Sequence, residues 1–287
     1  MGFVPRQSIH PMLKPQLLLF SDLDGTFLSH QDYGYSQLQH LLPVIRRKQI
    51  PLIFCSSKTR AEVELLRRKI GNSHPFIVEN GGAIYWRRGY FPKGAAPFER
   101  AGPYDCLKLG ESREMLVQKL NQVKTETGIP IRSFADMNVQ EIAELAGLSM
   151  AAARLAMARE YDEPFLILTE EKTAILQIVA RIGDLGLSCS RGGRFWHILG
   201  NNDKGIACRW LLRKYWEKNE STIAVGLGDS PNDLAMLREV TIPILVKQAD
   251  GTHNIQIKEA LPNLVLAEGI GPDGWASAIQ SVLSEFL

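Results

Sequence analysis

The sequence predicts an α/β protein whose doubly wound, Rossmann-like parallel-sheet core is interrupted by an inserted α+β domain. Short, continuously apolar runs recur at Leu17 to Phe20, Pro51 to Cys55 ("PLIFC"), Phe76 to Val78 ("FIV") and Thr222 to Leu227 ("TIAVGL"). They are too short for helices and apolar on both faces, as strands covered on both sides of a parallel sheet must be. Each stands close to a segment with helical spacing, the alternation of doubly wound folds. From about Ile84 to Leu199 that alternation stops, and it resumes near Asn201, so the core is discontinuous in sequence.

Taken in order, residues 1–15 ("MGFVPRQSIHPMLKP") lack an apolar stretch with a small-residue cleavage pattern and are expected to form a loose extension rather than a secretory signal. Ser36 with Gln39 fits a capping box ahead of Leu38, Leu41, Leu42 and Ile45, and Pro43 is expected to kink that helix. Thr59 and Glu62 form a second box ahead of Val63, Leu66 and Ile70, with Gly71 as a stop. In the insert, "PFLILT" (Pro164 to Thr169) reads as a strand. "EIAELAGLSMAAARLAMAR" (Glu141 to Arg159) has the outline of a helix-turn-helix, with Gly147 at the turn and Ser149 as cap. Its second helix offers Met150, Ala151, Ala152, Ala153 and Leu155 in place of the Asn, Gln or Arg that read bases, so the pair is expected to pack within the insert. The expected boundaries are 1–15 for the extension, 16–83 plus 200–287 for the core and 84–199 for the insert.

Composition sets the class. The 287 residues are 45% hydrophobic and 22% charged with a net charge of +2, an ordinary globular balance that implies neither a nucleic-acid nor a membrane partner. Cys55, Cys106, Cys189 and Cys208 are scattered without a CxxC pair, as expected for reduced thiols in a cytoplasmic protein.

Ligands of parallel α/β sheets bind beyond the carboxyl ends of the strands. The first run delivers Asp22 and Asp24 there, the second Ser56, Ser57 and Lys58, and "AVGLGDSPND" delivers Asp229 and Asp233. "NNDKG" adds Lys204 at a helix start, where unpaired N–H groups favour an anion. Carboxylates crowded at one sheet edge repel unless a cation joins them, and magnesium (Mg2+) with a phosphoryl group satisfies the whole set. The metal polarises the phosphate, whose other oxygens Lys204 and Ser56 can hold. With no Cys-His or Ser-His-Asp arrangement in view, a carboxylate is the remaining candidate nucleophile.

"DLDGT", "SSKT", "DKG" and "GLGDSPND", in this order, resemble the four motifs of the haloacid dehalogenase-like phosphohydrolases, from about Leu17 to the C-terminus. The resemblance implies that the insert is a type C2 cap, which is expected to choose the substrate. It also implies that Asp22 attacks phosphorus to form an aspartyl phosphate, and that Asp24 protonates the leaving oxygen and later activates water. Magnesium would take Asp22, the Asp24 carbonyl and Asp229, Ser56 and Lys204 would hold the phosphate, and Asp233 would steady the metal waters or Lys204. The family often has Thr where Ser56 stands, and either hydroxyl donates the needed hydrogen bond. "SSKTRAEVE", "PFIVENGGAIY", "AREYDEPF" and "GGRFWHILG…DKG" bear a closer resemblance to the mannosyl-3-phosphoglycerate phosphatase family. That implies a phosphorylated glycoside as substrate, with Lys58, Arg159 and Arg194 as candidates for its carboxylate and Glu160 and His197 for its hydroxyls. In an ideal strand Arg194 and His197 point to opposite faces, so one of the two is expected in a cavity. Phosphatases of sucrose or trehalose phosphate and sugar phosphomutases remain open by this reading. A phospho-acceptor module does not suit Asp24 or the large insert.

Overall fold

The structure, a computed structural model, describes residues 16–92, 98–192 and 194–286; the expected extension of residues 1–15 and Gly193 lie outside the described residues. The chain begins with β1 (Gln16–Ser21), α1 (Leu42–Arg47), β2 (Leu52–Cys55), α2 (Arg60–Ile70), β3 (Phe76–Val78), β4 (Ala83–Arg87), β5 (Glu99–Ala101) and β6 (Tyr104–Lys108). There follow α3 (Arg113–Thr127), β7 (Ile131–Ser133), α4 (Val139–Ala146), α5 (Met150–Ala156), β8 (Asp162–Ile167), α6 (Lys172–Asp184), β9 (Ser188–Gly192) and β10 (Phe195–Leu199). The last stretch comprises α7 (Lys204–Trp216), β11 (Thr222–Gly228), α8 (Leu234–Leu237), β12 (Ile242–Lys247), α9 (Ile255–Ala260), β13 (Val265–Ile270) and α10 (Pro272–Phe286).

The larger sheet has the order β13-β12-β11-β1-β2-β3-β4-β6-β5. Its first six strands are parallel and the last three antiparallel. Successive residues of β1 feed opposite layers: Leu17 and Leu19 join Phe54, Val225 and Trp275, whereas Leu18 and Phe20 join Ile53, Ile77 and Leu211. That two-sided burial is why the run is continuously apolar. Each such Leu or Phe contributes about 1.5–3 kcal/mol, and together they fix β1 in register between β2 and β11, which sets where Asp22 emerges.

The smaller sheet, β7-β8-β10-β9, is antiparallel throughout. One face buries Phe165 and Ile198 against Leu116, Leu120, Ile178 and Ile182 of α3 and α6. Because neighbours alternate, the other face carries Phe195, His197 and Leu199, with Ser190 and Ser188 directly opposite the last two. The two helices of the helix-turn-helix outline, α4 and α5, pack Ile142, Ala143 and Ala153 against Phe134 and Phe195.

Three sequence expectations need correction. β4 to β6 hydrogen-bond into the larger sheet, and Tyr85 and Trp86 are buried in its two layers, so the insert starts after Lys108 rather than at residue 84. Antiparallel edge strands need no crossover helix, which is why no strand-helix alternation marked them. Ser36 makes no capping hydrogen bond and opens only a short 3-10 turn. Pro43 lies in the first turn of α1, where its missing N–H costs nothing, and starts the helix instead of kinking it. The Thr59–Glu62 box and the left-handed Gly71 stop of α2 are both present.

Gly81 has φ +89°, and a Cβ there would fall 2.1 Å from the Asp203 carbonyl oxygen, whereas Gly128 has φ +66° and open space around it. Gly128→Ala should cost about 1 kcal/mol in urea unfolding, the left-handed penalty alone. Gly81→Ala should cost about 3 kcal/mol or more, because backbone has to move as well. Equal losses would mean that the close approach to Asp203 is absent.

Candidate active site

Asp22 follows β1 directly, and its N–H donates to the Leu227 carbonyl at 2.9 Å, continuing the pairing with β11. The chain then turns: Gly25 N–H donates to the Leu28 carbonyl at 2.8 Å and Leu28 N–H to the Leu23 carbonyl at 2.7 Å. Gly25 has φ +80°, and a Cβ there would overlap the ring of His30. The glycine of "DLDGT" is therefore required both by the left-handed turn and by the neighbouring imidazole.

Lys204 is the first residue of α7, whose N-cap Asp203 accepts the Ile206 N–H at 2.7 Å. Its wholly buried ammonium donates to Asp22 Oδ1 and to Asp233 Oδ1, both at 2.6 Å. Burial works against that charge, but the two carboxylates outweigh it and raise the lysine well above its ordinary range. On Asp22, burial and then the charge of Asp233 lift the carboxyl above its usual range, against the pull of Lys204.

Asp233 Oδ2 accepts the N–H groups of Asp229 at 3.0 Å and Ser230 at 3.1 Å. The residue thus caps its own short helix and holds Lys204, and both of its oxygens are engaged. Asp229 accepts Thr26 Oγ1 at 3.1 Å and lies 3.7 Å from His30 Nε2. Burial raises its pKa, with His30 opposing.

Carboxylate oxygens of Asp22, Asp229 and Asp233 lie within 4.8 Å of one another. All are hard oxygen donors, and three buried acids beside one lysine leave negative charge uncompensated, so the donor set fits a hard divalent cation. Asp22 and Asp229 accept fewer bonds from the protein than Asp233, so they have the most capacity left to hold it.

Ser56 follows β2, one strand from Asp22; it is buried, and its Oγ accepts the Lys58 N–H at 3.2 Å. Lys58 Nζ lies 3.0 Å from Asp24 Oδ2 and 3.5 Å from Glu62 Oε1. Burial would lower its pKa, but Asp24 and Glu62 raise it overall. Asp24 Oδ1 is buried with no partner among the described residues.

Four candidates from the insert are already engaged. Arg159 donates to the Ser57 carbonyl at 3.1 Å and to Asp162 Oδ1 at 2.7 Å. His197 Nδ1 meets Asp162 Oδ2 at 2.9 Å. Glu160 accepts Arg60 Nε at 2.8 Å and the Tyr85 hydroxyl at 3.0 Å. Arg194 is exposed and donates to the Leu145 carbonyl of α4, within the insert. Arg194 precedes β10 and lies in a turn, so the strand argument does not apply to it, and neither Arg194 nor His197 lines the cavity described below.

Sequence reasoning passed over Glu79, Asn80, Asn202 and Asn232. Glu79 and Asn80 directly follow the apolar run "FIV", the same signal that pointed to Asp22. Asn232 Nδ2 donates to Asn80 Oδ1 at 3.1 Å and Asn202 Nδ2 to the Asn80 carbonyl at 3.3 Å. Beside Lys204, a cavity of about 310 Å³ is lined by these three asparagines and, from the insert, by Ser188 and Ser190.

Comparison with known proteins agrees with this geometry: a family model described as haloacid dehalogenase-like hydrolase matches residues 19–94, and the chain belongs to that family. Two relatives, from Methanococcoides burtonii and Persephonella marina, are both named glucosyl-3-phosphoglycerate/mannosyl-3-phosphoglycerate phosphatase. The first is 39% identical over 93% of this chain and 97% of its own length. The second is 38% identical over 94% and 98% respectively. A solved haloacid dehalogenase subclass IIB sugar phosphatase shares the fold at 16% identity, with a TM-score of 0.63 over 93% of this chain and 99% of that one. Among the described residues no helix is long and apolar enough to cross a membrane.

Removing the buried cation should strand two carboxylates. Lys204→Met is expected to destabilise the metal-free protein by about 3–5 kcal/mol in urea unfolding with chelator present. Adding Asp22→Asn should recover part of that loss. A double variant no more stable than Lys204→Met would show that the two groups are not coupled.

Proposed function

We propose that this chain is a magnesium-dependent phosphatase of 3-phosphoglycerate carrying a hexose on its 2-hydroxyl, mannosyl first and glucosyl second, yielding the glycosylglycerate and phosphate. The observation that carries the reading is Lys204 held between Asp22 and Asp233, beside Asp229, at the end of the central strand. The names of the two relatives support the choice of substrate.

Lys204 engages one oxygen of Asp22, so the other attacks phosphorus and forms an aspartyl phosphate. Asp24, two residues on, protonates the departing glycerate oxygen and then takes a proton from the water that hydrolyses the intermediate. Ser56 and Lys204 hold phosphoryl oxygens, and Asp233 keeps Lys204 aimed at them. A magnesium ion bound by Asp22, Asp229 and the Asp24 carbonyl would neutralise charge on the phosphate and on the acids that crowd it.

The substrate also presents a carboxylate and a ring of hydroxyls. Lys58, already beside Asp24, is the nearest cation for the carboxylate, with Arg159 behind the same loop through the Ser57 carbonyl. The hexose fits the cavity beside Lys204, whose amides and hydroxyls are neutral groups able to donate and accept. Arg194 and Glu160, tied to Leu145 and to Arg60 with Tyr85, have a weaker claim to the substrate.

Asp22→Asn should abolish phosphate release with an unchanged far-UV spectrum; normal turnover would sink the assignment. Asp24→Asn should bind metal and substrate yet lose a factor of roughly 10² to 10⁴ in kcat.

The substrate itself is decided by a phosphate-release panel with magnesium. Mannosyl- and glucosyl-3-phosphoglycerate are set against sucrose 6-phosphate, trehalose 6-phosphate, mannose 6-phosphate and free 3-phosphoglycerate. The glycosylated phosphoglycerates should lead in kcat/KM. Preference for a neutral sugar phosphate would overturn the substrate, and isomerised sugar phosphate without free phosphate would indicate a mutase.

A further inference from the structure

Between β1 and α1 the chain makes a tight loop over residues 29–34, closed by Ser29 N–H donating to the Gly34 carbonyl at 2.9 Å and Tyr33 N–H to the Ser29 carbonyl at 3.0 Å. The left-handed position of this loop falls on Tyr33, with φ 54°, although a glycine stands next to it. For an aromatic residue that conformation is an outlier, whereas glycine would adopt it without steric cost. Gly34 meets a different need: its N–H donates to Asp32 Oδ1 at 2.9 Å, and a Cβ there would fall 2.9 Å from the same oxygen. Core burial does not offset the strain at Tyr33, because the residue is 43% exposed.

What the ring does meet is Lys58. Its centroid lies 4.8 Å from Lys58 Nζ, within cation–π reach. The same ammonium lies 3.0 Å from Asp24 Oδ2 and 3.5 Å from Glu62 Oε1, so the loop adds a third neighbour to a lysine already placed beside the site. The chemistry of that third neighbour matters. Another carboxylate would add negative charge and repel an anionic ligand. An aromatic face attracts the ammonium through its quadrupole and adds no net charge. Lys58 is thereby held without a further loss of its pull on an anion.

We propose that Tyr33 is a positioning residue for Lys58, and that its ring strengthens the preference for a leaving group carrying a carboxylate. This rests on the function proposed above, in which Lys58 meets the glycerate carboxylate while Asp24 protonates the leaving oxygen. A lysine ammonium rides on a flexible four-carbon stem. The ring restricts where it can go, so less disorder has to be removed when the carboxylate arrives. Backbone strain at a residue whose side chain is aimed beside a ligand site is consistent with this role.

The test uses the full chain with Tyr33→Leu, Tyr33→Gly and Tyr33→Phe. Tyr33→Leu should raise KM for mannosyl-3-phosphoglycerate about fivefold with kcat within about twofold, and change KM for phenyl phosphate, whose leaving group has no carboxylate, by less than about twofold. Tyr33→Phe keeps the ring and should keep the wild-type KM. Tyr33→Gly should show the KM of Tyr33→Leu but unfold at a higher urea midpoint, so that affinity follows the ring and stability follows the backbone; it also carries the comparison if the Leu variant does not fold. Equal losses on both substrates, a Phe variant as impaired as Leu, or a Gly variant with wild-type KM would overturn the proposal. An activity-free readout is the ring-current displacement of the Lys58 ε-methylene protons, assigned by comparison with Lys58→Met. It should be present in the wild type and Tyr33→Phe and lost in Tyr33→Leu, and its absence from the wild type would also overturn the proposal. Should the wild type release no phosphate from mannosyl-3-phosphoglycerate, the proposed substrate fails and the selectivity with it, and the proton displacement still decides whether the ring holds the lysine.

Discussion

The rest of the molecule is arranged around one electrostatic constraint: several carboxylates are buried together at the carboxyl end of the central strand, and one lysine is buried between two of them. Unpaired, each buried charge would carry a penalty of several kcal/mol. Lys204 relieves part of it through two short bonds, and Asp233 completes its coordination with N–H groups of its own loop. The remaining charge lies on Asp22 and Asp229, the pair with capacity for a metal ion. Net negative charge beside carboxylate oxygens suits a hard divalent cation.

That constraint dictates how the sheet is used. Asp22, Ser56 and Asp229 follow β1, β2 and β11, three adjacent parallel strands, so they share one end of the sheet without long loops. α7 brings Lys204 in from beneath, on the layer that also holds Leu18, Phe20 and Ile77. β3, the next strand outward, ends on Glu79 and Asn80. Its turn reaches the loop of Ser56 and Lys58 on one side and the insert on the other.

The insert meets this core through charged groups satisfied almost entirely by protein. Arg159, Asp162 and His197 form one buried chain, with burial opposing the ionisation of Asp162 and Arg159 followed by His197 holding its pKa low. A buried network of this kind is weak support for stability, and Arg159 Nε lacks a partner among the described residues, but the paired groups constrain one another's orientation. It leaves the neutral face of the smaller sheet, Ser188 and Ser190, toward the cavity.

The sequence by itself determined the parallel core, because two-sided burial leaves continuously apolar runs such as "LLLF" that no solvent-facing strand would show. It also pointed to the candidate site, since carboxylates directly after such a run are hard to explain as turn formers alone, and the order of "DLDGT", "SSK", "DKG" and "GDSPND" pointed to a common strand end. Glu79 was open to the same argument, as the residue following "FIV". Only the tertiary structure decided which strands beyond residue 83 belong to the core, because antiparallel edge strands pair with either sheet equally well in sequence. It also decided the fate of Arg159, Glu160, Arg194 and His197. Whether a polar side chain faces a ligand or a protein partner depends on groups distant along the chain, as Ser57 is from Arg159 and Glu79 from the amides of β8, and such distances leave no periodicity to read.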